Sequence, residues 1–336
     1  MHATPTRHRD SAGPRLHSRP DAAGPPSVAD LLRARATRRS LVPHEDGVSI
    51  ALVVEGGAMR GVISAGMVWA LEDLGLTSAF DAVYGASAGS INAAYFLAGQ
   101  AGIGTTIYFQ DINNRSFIDL SRPLRGRPIV NLGFLIDDVA RERKRLDTAR
   151  VLASATPLTV LATDVDSRTS VAFRGFASSE QLFGALRAGA TMPVVAGGPC
   201  RFQGHCLLDA SLSEPIPLPT AEAAGHTHIV VLLTRSGAMQ ERPSAFDRYF
   251  VGPRLRRISP ELANRYLTRS GPYKTIVEAI ESGSGLSGHT SVTGVRVEGL
   301  RVSKLECRPN VLSNAAQRGY AAAMAIFGPA ESVDVR

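Results

Sequence analysis

Apolar residues run unbroken from Ile50 to Val54, stop at Glu55-Gly56-Gly57, and return at helical spacing as Val62, Ile63, Met67, Val68 and Leu71 before Gly75. A short all-apolar run bounded by glycine predicts a buried strand over 49–54, and the spacing after it predicts a helix over 60–74. The pattern then repeats. Phe80-Asp81-Ala82-Val83-Tyr84 predicts a second strand over 80–84, Gly85-Ala86-Ser87-Ala88-Gly89 a tight turn, and the small residues of 88–98 a helix able to pack closely on a sheet. Two strand–turn–helix units in succession argue for an α/β fold with a largely parallel sheet. Further strands are expected at Leu158–Thr163, Val171–Arg174 and His228–Thr234, and a hairpin over Cys200–Leu208 around Gln203-Gly204. Beyond Arg235 the pattern turns helical with breaks, ending in an Ala-rich helix over 310–327.

Residues 1–47 lack sustained periodicity before Val28 and are rich in Pro, Gly, Ser, Ala, Arg and His, a composition that buries too little to offset chain entropy. The expected organisation is a disordered, mildly basic tail over 1–47, a folded catalytic-type domain over 48–235 and a mainly helical region over 236–336 packed on it.

The two glycine turns carry the candidate chemistry. In G-x-S-x-G, the glycines permit a sharp strand-to-helix turn that pushes the serine outward, here Ser87 between Gly85 and Gly89. The N–H of Ala88 opens the next helix, where an oxyanion is stabilised. The string alone is weak, and an ordinary β–α turn with an N-capping serine also fits it. The flanking strand and helix strengthen the functional reading. The turn Glu55-Gly56-Gly57-Ala58-Met59-Arg60-Gly61 lacks the second glycine of a dinucleotide fingerprint and the Lys of a P-loop. What remains is a set of bare N–H groups at a helix start, an anion cradle beside Ser87, with Arg60 able to hold the loop or meet a phosphate. A serine nucleophile needs a proton acceptor. His205, His226, His228 and His289 all follow Ser87, so a histidine base stays open. So does Asp209 in Leu207-Leu208-Asp209-Ala210-Ser211, a carboxylate that burial would raise toward a useful pKa.

Composition and charge change this picture little. The net charge of +7 is carried almost wholly by Arg, lysine being limited to Lys144, Lys274 and Lys304, and suits anionic partners. Between Met239 and Lys274, seven Arg and one Lys face three acids, with Phe246, Tyr249, Phe250, Tyr266 and Tyr273 interleaved. A packed helical subdomain with a solvated basic face is the plainer reading, and peripheral contact with an anionic membrane surface the alternative, which predicts salt-sensitive binding to anionic vesicles. No nucleic-acid recognition motif accompanies the basic residues. Three cysteines, an odd set, fit a reduced, cytoplasmic setting, and their spacing is not that of a zinc site, so no metal is expected. No apolar run reaches the ~18 residues of a membrane span, and the N-terminus shows no signal-peptide core.

The ordered set of motifs resembles the patatin-like phospholipases, in particular the bacterial branch with Glu-Gly-Gly-x-x-Arg-Gly at the first turn. Intermediate stretches share the likeness: Leu161-Ala162-Thr163-Asp164, Arg187-Ala188-Gly189-Ala190-Thr191-Met192-Pro193 and Ile229–Thr234. The resemblance covers about residues 48–235. It implies a three-layer α/β/α fold with a mainly parallel central sheet, a helical C-terminal extension, and hydrolysis of lipid acyl esters through an acyl-enzyme without metal or organic cofactor. It implies Ser87 as nucleophile and Asp209 as its base. The oxyanion hole would come from the Gly57, Ala58 and Ala88 amides with Gly56 beside them, supported by Arg60, Gly61, Gly85 and Gly89. Two positions depart from the pattern. Ala58 stands where the family has glycine, and Asp209-Ala210-Ser211 replaces Asp-Gly-Gly or Asp-Gly-Ala. A Cβ at position 58 would crowd the oxyanion, and a positive φ at position 210 would cost an alanine ~1 kcal/mol or more. A histidine-dependent α/β-hydrolase and a non-catalytic lipid-binding descendant are the competing readings.

Overall fold

The computed structural model describes residues 26–38, 44–237 and 243–329 of the chain. Its centre is an eight-stranded sheet. The strands are β1 (Ile50–Val54), β2 (Ala82–Ala86), β3 (Leu158–Asp164), β4 (Ser170–Phe173), β5 (Cys200–Phe202), β6 (His205–Asp209), β7 (His228–Leu232) and β8 (Ser291–Val295), in the order β5-β6-β3-β2-β1-β7-β8 with β4 also paired to β3. The pairings β3-β2, β2-β1, β1-β7 and β7-β8 are parallel, while β4, β5 and β6 add antiparallel pairs.

Helices cover both faces, which is why β1 and β2 are buried at every position. The helices are α1 (Val28–Arg38), α2 (Gly61–Asp73), α3 (Ala88–Leu97), α4 (Ala101–Gln110), α5 (Thr148–Ala153), α6 (Ser179–Gly189), α7 (Leu218–Ala223), α8 (Gly252–Ile258), α9 (Pro260–Thr268), α10 (Ser270–Glu281) and α11 (Pro309–Phe327). Strand alternation sorts the core. Ile50, Leu52 and Val54 join the cluster built with α1, α2, α3, α4, α6 and α11, whereas Ala51 and Val53 join the one built with α7 and α10. A third cluster ties α8 and α9 to Leu208 and Leu212 at the end of β6. The expected three-layer α/β/α architecture is the one observed.

Two expectations need correction, and the mainly helical C-terminal region gains one strand. The second strand starts two residues later than its apolar run, at Ala82, and Asp81 before it serves as a clamp: its carboxylate accepts the Ile50 N–H at 2.7 Å and pairs with Arg35 at 2.8 Å. The region after 235 is not helix alone, since β8 extends the main sheet beside β7. Nor is all of 1–47 unstructured. Residues 1–25 and 39–43 lie outside the described residues, but α1 docks through Leu32, fully buried, and Arg35, only 3% exposed. Arg35 holds Asp46 at 2.7 Å as well as Asp81, and donates to the carbonyls of Ala79 and Val48. Hydrogen bonding from Arg35 holds the Asp46 carboxyl down at about 2.

The C-terminal helix α11 lies against α2 at backbone distance. A Cβ on Gly66 would stand 2.0 Å from the Ala316 carbonyl oxygen, and one on Gly319 2.2 Å from that of Ile63. Only glycine at these two positions lets the helices approach so closely.

Candidate active site

Both glycine turns sit at the C-terminal ends of adjacent parallel strands, where open α/β sheets gather ligands. Ser87 follows β2 directly and has φ 53°, ψ −128°, a strained conformation for a residue with a side chain. Its neighbours explain why glycine flanks it. A Cβ on Gly85 would lie 2.4 Å from Ser90 Cα, and one on Gly89 2.3 Å from the Val54 carbonyl oxygen.

Asp209 reaches Ser87 through strand register. On β3, Leu161 pairs with Ala86 and the next residue, Ala162, pairs with Asp209. The antiparallel β6 therefore ends beside the residue that follows β2. Ser87 Oγ donates to Asp209 Oδ2 at 2.7 Å, and the Ser211 N–H donates to Oδ1 at 2.8 Å. The Asp209 backbone is held as well, its carbonyl accepting from Thr163 Oγ1 at 2.8 Å and its N–H donating to Thr191 at 2.9 Å. Burial pushes the Asp209 carboxyl above its ordinary range, against the hydrogen bonds from Ser211 and Ser87 that pull it down. A carboxylate so placed is a better proton acceptor than a solvated one.

The histidines lie elsewhere. His205 Nδ1 meets Asp164 Oδ2 at 2.5 Å, and His226 bridges Ser49 Oγ and Tyr84 Oη. His228 Nδ1 meets Thr227 Oγ1 at 3.0 Å. Among the described residues no histidine hydrogen-bonds Ser87 or lines its cavity.

The first glycine turn folds over Ser87. A Cβ on Gly56 would be 2.4 Å from the Ala86 carbonyl oxygen and 2.8 Å from Ser87 Cβ. Among the described residues, the N–H groups of Gly56, Gly57, Ala58 and Ala88 donate to no protein acceptor, while the next amide, Met59 N–H, is taken by the Lys304 carbonyl at 3.2 Å. Gly56, Gly57, Ala58 and Ala88 line the same cavity as Ser87 and Asp209. The two departures from the motif fare differently. Ala210 is fully buried in a short 3-10 turn (Ala210–Leu212) and is not left-handed, so alanine fits there. Ala58 has φ 51°. Ala58→Gly is therefore expected to stabilise the fold by about 1 kcal/mol in chemical denaturation, with kcat/KM equal to or above wild type. A loss of stability would mean that this loop gains more from a rigid alanine than it loses to strain.

Several residues with no role assigned from the sequence hold the turns. Glu55, 1% exposed, accepts the Thr234 N–H at 2.6 Å and the Tyr273 hydroxyl at 3.0 Å, and pairs with Arg235 at 3.3 Å. It thereby ties the end of β1 to the end of β7 and to α10. Thr234 Oγ1 donates to the Gly56 carbonyl at 2.8 Å. Asn92 on α3 donates to the Gly61 carbonyl at 2.8 Å and accepts from Tyr108 Oη at 3.0 Å, fixing α2 against α3. A glutamate directly after an apolar strand was the visible signal for the first of these. Arg60 turns back along the loop, and its Nε and Nη2 find no hydrogen-bond partner. Burial lowers its pKa to about 10.

The cavity in front of Ser87 has a volume of about 1070 Å³, at the top of the range for small-molecule clefts (~300–1,000 Å³). Its deep wall is apolar, with Ile91, Ile107, Ile112, Phe117, Ile129 and Leu135. Phe246 lies at its rim and stacks on Phe250 at 5.5 Å. Of the interleaved aromatics, Tyr266 and Tyr273 are buried, whereas Phe246, Tyr249 and Phe250 are exposed. Residues 239–242 of that stretch lie outside the described residues. Cys200, Cys206 and Cys307 are free thiols, and no helix among the described residues is long and apolar enough to cross a membrane.

Comparison with known proteins bears on the same segment. Residues 52–222 match the family described as patatin-like phospholipase. The uncharacterized protein YjjU of Escherichia coli (strain K12) is 29% identical over 213 residues, an alignment covering 62% of this chain and 58% of that protein. Among solved structures, VipD from Legionella pneumophila is 12% identical with a TM-score of 0.46, covering 83% of this chain and 66% of its own. Human GIVD cytosolic phospholipase A2, solved in complex with methyl gamma-linolenyl fluorophosphonate, is 14% identical with a TM-score of 0.38, covering 89% of this chain and 62% of its own. The chain thus spans less than two thirds of the length of the curated relative it matches.

Proposed function

We propose, from the premise that this chain belongs to the patatin-like phospholipase family, that it is a serine lipid acyl hydrolase working through a Ser87–Asp209 dyad. The observation that carries the reading is the 2.7 Å hydrogen bond from Ser87 Oγ to a buried carboxylate, both lining one large cavity with an apolar arm. In this mechanism Ser87 Oγ attacks the ester carbonyl carbon as Asp209 takes its proton. The carbonyl oxygen gains the negative charge and faces the amides of Gly57, Ala58 and Ala88, with Gly56 alongside. As the tetrahedral intermediate collapses, the ester C–O bond breaks and Asp209 returns the proton to the departing alcohol. Water then repeats the sequence on the acyl-serine and releases the fatty acid. Each preorganised amide contributes roughly 3 kcal/mol to such a transition state.

Two features favour a long-chain lipid ester, of phospholipid type, over a small soluble one. The cavity wall offers apolar area to an acyl chain, and the exposed Tyr249 and Phe250 beside Arg248, next to the rim residue Phe246, suit peripheral contact with an anionic membrane surface. The histidine-dependent alternative has less support, because Ser87 is bonded to Asp209 and the nearest hydrogen-bonded roles of His205, His226 and His228 lie outside the cavity. A fluorophosphonate probe should label the wild-type protein once, at Ser87, and leave Ser87→Ala unlabelled. Folded wild-type protein that takes up no probe would replace this proposal with a non-catalytic lipid-binding one.

A further inference from the structure

Part of the cavity that holds the dyad is lined by cations. Arg60, Arg235, Arg269, Arg301 and Lys304 all line the cavity, together with the acids Glu55 and Asp247 besides Asp209. Both acids are already engaged, Glu55 with Arg235 at 3.3 Å and Asp247 with Arg269 at 2.9 Å. Arg60 and Lys304 have no ion-pair partner among the described residues. With Lys304 protonated, five cations against two acids (5 − 2) leave an excess of three positive charges, or two when Asp209 is ionised. Holding like charges together inside a cleft without counter-ions is unfavourable, and an anion entering the cleft removes the penalty. The backbone supports the arrangement, since the Lys304 carbonyl accepts the Met59 N–H and clips this C-terminal segment onto the first glycine turn.

We infer that Lys304, with Arg60, Arg235 and Arg269 sharing its cavity wall, forms a receptor for a substrate phosphate group, and that it selects glycerolipids with anionic headgroups over zwitterionic ones. The inference rests on the hydrolase reading and adds the headgroup class to it. The apolar arm of the cavity takes the acyl chain, the dyad takes the ester carbon, and the phosphate, a few bonds from that ester, falls toward the cationic wall. A choline-type headgroup would bring a positive charge to the same wall, where like charges repel. Phosphatidate and phosphatidylglycerol bring none. Burial and the neighbouring Arg60, Arg269 and Arg235 depress the Lys304 ammonium to about 7, with Asp247 opposing them, as expected of a cation that lacks its counter-ion.

The test has one arm independent of turnover and one that depends on it. In the first, inorganic phosphate should raise the melting temperature of the wild-type protein above that in chloride at matched ionic strength, and Lys304→Met should lose the increment. In the second, phosphatidate and phosphatidylcholine with identical acyl chains are compared in mixed micelles. The wild-type kcat/KM should favour phosphatidate by about tenfold or more, as expected for one charge-assisted contact. Lys304→Met and Lys304→Gln should bring the ratio toward one, Lys304→Arg should keep most of it, and Lys274→Gln, which removes an exposed lysine that does not line the cavity, should keep all of it. Equal wild-type rates on the two lipids overturn the receptor while leaving the hydrolase standing. A phosphate shift without headgroup preference assigns the wall to free phosphate and overturns its role in lipid selection. A Lys304-dependent phosphate shift with no Ser87-dependent hydrolysis of either lipid overturns the hydrolase reading and leaves the anion site supported.

Discussion

Asp209→Asn is expected to lower kcat on a lipid ester by three orders of magnitude or more while the protein stays folded. The amide keeps the shape of the carboxyl group and still faces Ser87 Oγ and the Ser211 N–H, but it cannot take a proton, so the serine loses its base. Stability should move the other way. Burial raises the folded-state pKa of Asp209 above its unfolded value. Its contribution to stability is fully present below the ordinary carboxyl pKa of ~3.9 and is lost as pH rises through the higher folded value. At neutral pH the charge is therefore a cost, and the variant should melt at or above the wild-type temperature. The wild-type rate should rise with pH along an acid limb centred above ~3.9, and the residual rate of the variant should lack that limb. A variant that keeps substantial activity, or one that loses activity only by unfolding, would remove Asp209 from the base's role.

The second large effect lies far from the chemistry. Arg35→Met should cost about 3–5 kcal/mol in urea unfolding, the range for breaking a buried ion pair by deleting one partner. Arg35 satisfies two carboxylates and two carbonyls at once, and its loss leaves the Asp81 carboxylate, at the start of the central strand β2, with only the Ile50 amide. The sign with pH follows from Asp46, whose carboxyl is held at about 2 by Arg35. That stabilisation is present above the unfolded value of ~3.9 and is lost as pH falls through 2. The gap between wild type and variant should narrow below pH ~4 accordingly. A cost under ~1 kcal/mol would show that α1 is an ornament on the fold.

These two residues mark what could and could not be read from the chain. Ser87 was legible because its constraints are local. Two glycines, a strand before and a small-residue helix after lie within a dozen positions, and each has a steric reason to be there. The central strands were legible for the same reason, as both faces of β1 are covered and its sequence is therefore apolar throughout. Asp209 could be suggested but not placed. Its meeting with Ser87 depends on β6 running antiparallel to β3 in one register, and a shift by one residue would turn it away. The ends of the chain were less legible. Arg35 sits in a basic stretch that reads as solvated, and only the burial of Leu32 and the positions of Asp46 and Asp81 make it a core residue. In β8, Ser-Val-Thr-Gly-Val is half polar because it forms an edge of the sheet, so no strong strand pattern marks it. Lys304 lies in an irregular segment after β8, and nothing nearby in the chain announces that it turns into the cavity.

The close seat of α11 on α2 has a consequence for how such chains are cut and shuffled. The stretch that carries the family signature stops at 222, yet the helix that springs from its first glycine turn is walled on one side by residues almost a hundred positions further along. Excising the signature alone would bare a groove shaped to a glycine-lined backbone, together with the flank of β1 that β7 normally covers. The unit that evolution can move between proteins is therefore longer than the unit by which it is recognised.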